Sequence, residues 1–488
     1  MKDSDVIPLL SENVYDNKKS RNLNDILLCI GLNKKIIFVY IAINMGILVE
    51  GMEMTLMSLF LIPIQKYFKV SNFILQIMSS VFFIGVAIGS YLSGYLIKFS
   101  ARKNILNYSY ILMFIFHVFL SLFTMHYFFF LLNRILIGIC LGIIVPISLN
   151  IIKEFLAEEN QSFYLTAVWA SFGIGQALNP IVMYIGMKHF EIKNLNITLF
   201  SLSVFILITI ILNSNLIIET PFELINNKKY DDCYNLLNSM LLEKNKKLLT
   251  EEEKENLCNE NKREINNDEN YSISILFNKN LRKLTLISIC ILTIVSFLLY
   301  GVLLISTLTM KTYNIAKSNK TKPKKILIDQ IYTAFSTVLA NILGAVLCEI
   351  SFVGKKNSIY LGFSISTISC VLIIFFGKHY YRILFSLYLS FMLISFNVFL
   401  TYIIEIFPTP IHHLSSGFLF SCLRIAGFLS QYIYLFLNDI YFLLPYLFSA
   451  IISSIAIYLT YILPNKIINF EDNGKMKSIN YDNKLINI

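Results

Sequence analysis

The chain has 488 residues, 56% hydrophobic and only 15% charged, with a formal net charge of +10 and a mean hydropathy of +0.64. A soluble domain carries about 25% charged residues, so this composition excludes a globule dissolved in water. The positive charge is no sign of nucleic acid, because the basic residues lie at the ends of apolar runs and between them, where lipid headgroups and membrane orientation account for them.

Hydrocarbon offers no partner to a backbone N–H or C=O, so a chain crosses it as helices or a closed barrel, and a helix needs roughly 20 apolar residues. Such runs occupy residues 36–63, 75–97, 105–125, 128–152, 163–187 and 197–218, then 284–308, 328–353, 359–376, 383–407, 414–437 and 440–463. They predict an all-α membrane protein of twelve transmembrane helices in two pseudo-symmetric six-helix halves. The first run is read as a retained helix, since a mostly polar tail precedes it and no small-residue cleavage pattern follows.

The predicted organisation is an N-terminal tail (1–35), a first half (36–218), a polar central loop (219–281), a second half (282–464) and a C-terminal tail (465–488). An even number of spans puts both termini on one side. Lys and Arg are denser there and in the central loop, which reads as cytoplasmic. Two Asn-x-Thr triplets, at Asn196 and Asn319, fall on the opposite side, as does a lysine-rich segment at 311–325 that runs against the rule. Residues 230–242 of the central loop read as a surface helix. The 8 cysteines are scattered with no metal-ligand spacing, so neither disulfides nor a metal or other cofactor is expected.

Charges inside the runs carry the functional signal. Glu50 and Glu53 lie three residues apart in the middle of the first run, hence on one helical face. An ionised carboxylate facing lipid is costly, so both should face a water-filled pathway, be paired, or hold a proton. Arg134 stands near the start of the fourth run and Arg424 inside the eleventh. Trp169, Gln176 and Asn179 share a face of the fifth, with Tyr300 in the seventh and Asn397 in the tenth. A small polar ligand needs such groups beside aromatic surface, and ordinary helix packing uses them too. The fourth run begins Asn133-Arg134-Ile135-Leu136 and ends at Glu154; the tenth begins Tyr381-Arg382-Ile383-Leu384 and ends at Glu405. This repetition suggests two related halves with a solute held between them.

Several segments together resemble the major facilitator superfamily, and within it the sugar porters and the organic-ion and synaptic-vesicle-protein branch, over residues 36–464. Gly94-Tyr95-Leu96-Ile97-Lys98-Phe99-Ser100-Ala101-Arg102-Lys103 is similar to the superfamily's signature after the second helix, with Lys98 where Asp is usual and Ala101 where Gly is usual. Arg134 to Glu154 resembles its Arg-xxx-Gly-xxx-Gly helix. Glu219-Thr220-Pro221-Phe222-Glu223-Leu224 resembles its Glu-Ser-Pro segment, and Glu405-Ile406-Phe407-Pro408-Thr409 its Glu-x-Phe-Pro-Thr, with His412 in place of the usual Arg.

The resemblance implies transport by alternating access, with Arg102, Lys103, Glu154, Glu219, Glu405, Pro408 and Thr409 as cytoplasmic gating residues, Lys355 and Lys356 being further partners for the two glutamates at the helix ends. Gly51-Met52-Glu53 resembles the first-helix segment whose acidic residue exchanges a proton in proton-coupled sugar porters, which sets Glu53 opposite Arg134 and makes Glu53 the expected coupling residue, Glu50 being the alternative. Trp169, Gln176, Asn179, Tyr300, Asn397 and Arg424 are the expected substrate contacts. The seventh run lacks the paired Gln of hexose porters, so the expected substrate is an organic carboxylate such as pantothenate, with an organic cation or a sugar as rivals. A non-transporting receptor on the same fold is the alternative of another class. The expected partners are a small solute, protons and the lipid bilayer, in a monomer at the plasma membrane. An enzyme is not expected: no nucleophile with a base, phosphate loop or metal cluster is found.

Overall fold

The computed structural model describes residues 22–97, 99–122, 127–186, 192–250, 253–254, 273–317, 323–350, 353–407, 411–463, 466–470 and 476–480. Pro408 and Thr409, and the Asn319 triplet, lie outside them. Among the described residues, eleven helical stretches are long and apolar enough to cross a membrane. The longest, Gly354–Ile406, has 53 residues, about 80 Å if straight, too long for one crossing. It breaks at Tyr380, where φ is −120° and ψ is 16°. Beyond the break the chain folds back, so that Ser395 donates to the carbonyl of Ile359 at 2.9 Å. The stretch therefore supplies two spans, the ninth and tenth, and among the described residues the crossings number twelve.

The first six spans are Lys34–Phe68, Asn72–Leu96, Arg102–Leu122, Tyr127–Phe155, the pair Glu158–Ala167 and Trp169–Gly186, and Ile192–Leu216. The seventh is Lys279–Ser296 continued by Val302–Lys317, the eighth Pro323–Glu349, the eleventh His412–Ile440 and the twelfth Leu444–Ile462. Asn33 and Ser71 cap the first two, their side chains accepting from the N–H groups of Ile36 and Ile74. Large apolar side chains such as Phe200, Leu339 and Phe375 point outward along the spans, as a lipid-facing surface requires.

Close helix crossings hold each half together. Spans 2 and 4 meet at Gly85, Gly89, Gly138 and Gly142, where a Cβ on Gly142 would stand 2.2 Å from the carbonyl oxygen of Val86. Only glycine allows backbones so near, and in lipid such contact replaces the hydrophobic drive available in water. The halves join mainly along spans 2 and 11 and along spans 5 and 8.

Short elements decorate the side of the bundle on which the first span begins and the twelfth finishes. The N-terminal tail, read as polar, contains a helix at Leu23–Ile30 that buries Ile26, Leu27 and Ile30; eight amphipathic residues are too few to register in composition. Tyr230–Glu243 is the central-loop helix. Lys466–Phe470 and Met476–Asn480 pair as an antiparallel hairpin.

Candidate functional site

Two ion pairs grow from one face of span 1. Arg134 Nη1 on span 4 donates to Glu53 Oε2 at 2.6 Å, and His117 Nε2 on span 3 lies 2.5 Å from Glu53 Oε1. Arg134 also stands over the Phe82 ring, 4.4 Å from its centroid. All these partners belong to the first half. Three residues earlier, Arg424 Nη2 on span 11 donates to Glu50 Oε1 at 2.5 Å, joining the two halves. Arg424 Nη1 donates to the Tyr300 hydroxyl. The four charged side chains are 0–1% exposed, so each depends on its partner for the solvation it has lost.

Tyr300 sits where span 7 widens into a π turn, Phe297–Gly301. Such a turn interrupts the regular i→i−4 ladder and is frequent at functional sites. Side chains reach the carbonyls of this turn: Tyr388 donates to Leu298 at 2.6 Å and Gln431 to Tyr300 at 3.1 Å.

The expected substrate contacts are not all in one place. Gln176 lines a small cavity between the halves with Thr55, Ser58, Leu303, Ser306, Gln330 and Thr333. That cavity holds about 20 Å³ of water-accessible space, enough for about one water, so the path is closed here. Asn179 is engaged within the first half, donating to the Met52 carbonyl at 2.5 Å and the Thr55 hydroxyl at 3.1 Å. Asn397 donates to Asn341 at 2.6 Å, and Asn341 to the carbonyl of Trp169 at 2.8 Å. Trp169 itself is buried against Phe172 and Phe396.

On the side where the first span begins and the twelfth finishes, the halves are latched. Arg102 pairs with Glu154, and its Nη1 donates to the Thr220 hydroxyl at 3.2 Å. The Thr220 hydroxyl in turn donates to Glu154 at 2.6 Å. His413, from the second half, enters this cluster with Nε2 3.0 Å from Arg102 Nη2 and Nδ1 2.9 Å from the Asn150 amide. Beside it Lys355 pairs with Glu405. Ser162 donates to Glu405 at 3.0 Å, and Lys153 donates to the Ile404 carbonyl at 2.9 Å, each across the halves. Glu219 is peripheral, 3.2 Å from Lys229. Lys103 makes no ion pair among the described residues, and Lys356 donates to the carbonyls of Tyr461 and Leu463 at 2.9 and 2.8 Å.

The sequence profile of the Major Facilitator Superfamily matches residues 43–431. The chain belongs to this superfamily. A search among curated proteins finds no match. Among solved structures, the fold is similar to the proton:xylose symporter XylE bound to 6-bromo-6-deoxy-D-glucose, at 16% identity and a TM-score of 0.70 over 88% of this chain and 96% of that one. It is similar to the partially occluded, inward-open xylose transporter XylE of E. coli, at 15% identity and 0.70 over 88% and 98%. A D-xylose-proton symporter matches at 17% identity and 0.65 over 91% and 100%. At these identities the likeness is one of fold.

For this facilitator the structure adds residues that the sequence alone did not single out: His117 beside Glu53, Tyr110 fully buried in span 3, Asn341 between Trp169 and Asn397, and His413 in the latch. His117 and Tyr110 are isolated polar residues in an apolar run, and nothing in the run reveals which span they face. The substituted motif after span 2 keeps Arg102, and Thr220 and Glu223 of the Glu-Thr-Pro segment serve it: Glu223 accepts from the Arg102 backbone N–H at 2.9 Å.

The latch bears directly on the conformational equilibrium of a facilitator. Glu154→Gln removes the carboxylate that faces Arg102 and, across the halves, lies 3.3 Å from His413 Nε2, and should shift the molecule toward opening on this side. The chain has a single tryptophan, buried at the contact between halves, so acrylamide quenching of Trp169 should rise at least twofold in Glu154→Gln. Unchanged quenching would show that the cluster does not hold the closed state.

Proposed function

We propose that this facilitator is a proton-coupled symporter of a small organic carboxylate, pantothenate being the first compound to try, working by alternating access as a monomer in the plasma membrane with its termini cytoplasmic. The observation that carries the reading is the buried centre: two acidic groups on one face of span 1, each matched to an arginine, one pair inside the first half and one across the halves. Buried ionisable groups in a membrane are expensive and mark ion or substrate pathways. Glu53, between Arg134 and His117, is the proton carrier on this reading, released when the pair forms and loaded when it parts.

Arg424 favours an anion over a cation. Of the two arginines in the centre it is the one contributed by the second half, and the fork of a guanidinium suits a carboxylate. The proton:xylose symporters of the same fold support the use of a proton gradient. A sugar is not adopted as substrate, because the amide-rich seventh span of hexose porters is replaced by Ile289-Cys290-Ile291-Leu292-Thr293. Pro408 and Thr409 complete the proposed gate with Arg102, Lys103, Glu154, Glu219 and Glu405.

Uptake of radiolabelled pantothenate, other carboxylates, hexoses and organic cations into proteoliposomes, with and without an inward proton gradient, tests this. The expected result is accumulation of a carboxylate, accelerated by the gradient. Gradient-accelerated uptake of a hexose or a cation alone would overturn the substrate class. Absence of transport with a ligand-induced rise in Tm would favour a receptor.

A further inference from the structure

We propose that Arg424 anchors the carboxylate of the solute, and that Glu50 keeps its place on Arg424 while the carrier is empty, yielding it only on taking up a proton. The inference rests on the carboxylate reading above and extends it to a coupling device distinct from Glu53.

The two pairs of span 1 differ in what they connect. Glu53, Arg134 and His117 all sit in the first half, so rigid rocking of the halves does not by itself separate them, and their parting needs a movement within that half. Glu50 and Arg424 sit in opposite halves, with side chains 1% and 0% exposed. A solute carried between the halves meets this second pair. Arg424 Nε and Glu50 Oε2 are buried and have no hydrogen-bond partner among the described residues. The Nε–H of the guanidinium is thus unused, and once Glu50 leaves Nη2 a carboxylate that approaches with both oxygens would take Nε–H and Nη2–H together, the two-pronged contact that Glu50 does not make. The small cavity beginning at Thr55 and Ser58 lies just beyond Glu50 on the same span.

Charge balance then dictates the coupling. A buried guanidinium without an anion is strongly unfavourable, and so is a buried carboxylate without a cation. When a solute carboxylate takes Arg424, two carboxylates share one cation. The charged and titratable groups around Glu50 offer no replacement. Arg424 comes from span 11, Tyr300 from span 7 and Tyr110 from span 3, with Glu53 on span 1 itself; Arg134 and His117 are committed to Glu53. Glu50 therefore binds a proton from the aqueous side then open, and the carboxylic acid replaces the carboxylate. The site keeps the same net charge, and one proton accompanies each anion at Glu50. The empty carrier returns with Glu50 ionised on Arg424. A solute bound without the proton leaves one carboxylate uncompensated and does not cross.

The test compares wild type, Glu50→Gln and Glu53→Gln in proteoliposomes, using labelled pantothenate and the carboxylates of the uptake panel, each beside its uncharged alcohol analogue. Glu50→Gln mimics the protonated state. It should keep counterflow exchange, lose gradient-driven net uptake at least tenfold, and bind the carboxylate with a pH dependence less steep than that of wild type by one proton. Wild-type affinity should weaken by up to tenfold per pH unit as pH rises, since one proton is linked to binding. Wild-type accumulation or pH dependence in Glu50→Gln would overturn the proposal. Should that variant fail to fold, Glu50→Gln with Arg424→Gln removes both charges together; it should lose the preference for carboxylate over alcohol, and a retained preference would overturn the proposal. If wild type accumulates no carboxylate at all, the substrate reading itself falls, a result that none of the variants can produce.

Discussion

Glu53→Gln is expected to reduce proton-gradient-driven uptake at least about tenfold, while leaving the preference for a carboxylate over its alcohol intact. The amide is nearly isosteric with the acid but neither releases nor accepts a proton in this range. Arg134, with Nη1 2.6 Å from the Glu53 carboxylate, and His117, 2.5 Å away, would face a neutral group. The preference should survive because it is assigned to Arg424, in the other half and on the other pair. Uptake of labelled carboxylate with and without the gradient, with Tm as a control for folding, checks it. Unaltered gradient dependence would remove Glu53 from the coupling path.

Gly142→Leu should abolish recovery of folded protein. A Cβ at Gly142 meets the carbonyl oxygen of Val86 at 2.2 Å and the backbone nitrogen of Ser90 at 2.8 Å. These are backbone atoms of span 2, which cannot swing aside as a side chain would. Span 2 would have to move away along its contact with span 4, and Ser90, which donates to the Gly142 carbonyl at 3.2 Å, would lose that bond. Even one added methyl in a tight core costs about 1–3 kcal/mol; leucine adds three more carbons. Gly142→Ala should accordingly be folded but less stable. Size-exclusion profiles and Tm of the two variants read the difference, and a monodisperse, wild-type-like Gly142→Leu protein would contradict the crossing.

The spans were readable from sequence because a run of roughly 20 apolar residues has the length of the hydrocarbon layer and is hard to bury anywhere else. Their ends were less so. The predicted gap between residues 376 and 383 is helical, since a helix need not stop where it leaves hydrocarbon; only the backbone at Tyr380 marks the reversal. The π turn at Phe297–Gly301 left no trace beyond the Tyr300-Gly301 step. In the centre, Glu50, Glu53, Arg134 and Arg424 stood out because charges are rare in such runs. Which of them meet was not available from spacing, because periodicity gives the face of a helix but not its neighbour. The resemblance to sugar porters suggested a partner for Glu53. No motif suggested that Glu50 reaches Arg424 across the halves, or that His117 completes the Glu53 site. In the latch, His412 was the position singled out from the motif, and the neighbouring His413 contacts Arg102.

The most direct test of proton-coupled carboxylate transport is the lumen pH of proteoliposomes with a trapped pH-sensitive dye, recorded as pantothenate or another transported carboxylate is added outside with no initial pH gradient. Symport predicts acidification of the lumen that follows the carboxylate inward, shrinks in Glu53→Gln and vanishes when Glu50→Gln is combined with it. Entry of the same carboxylate with no change in lumen pH would contradict the account.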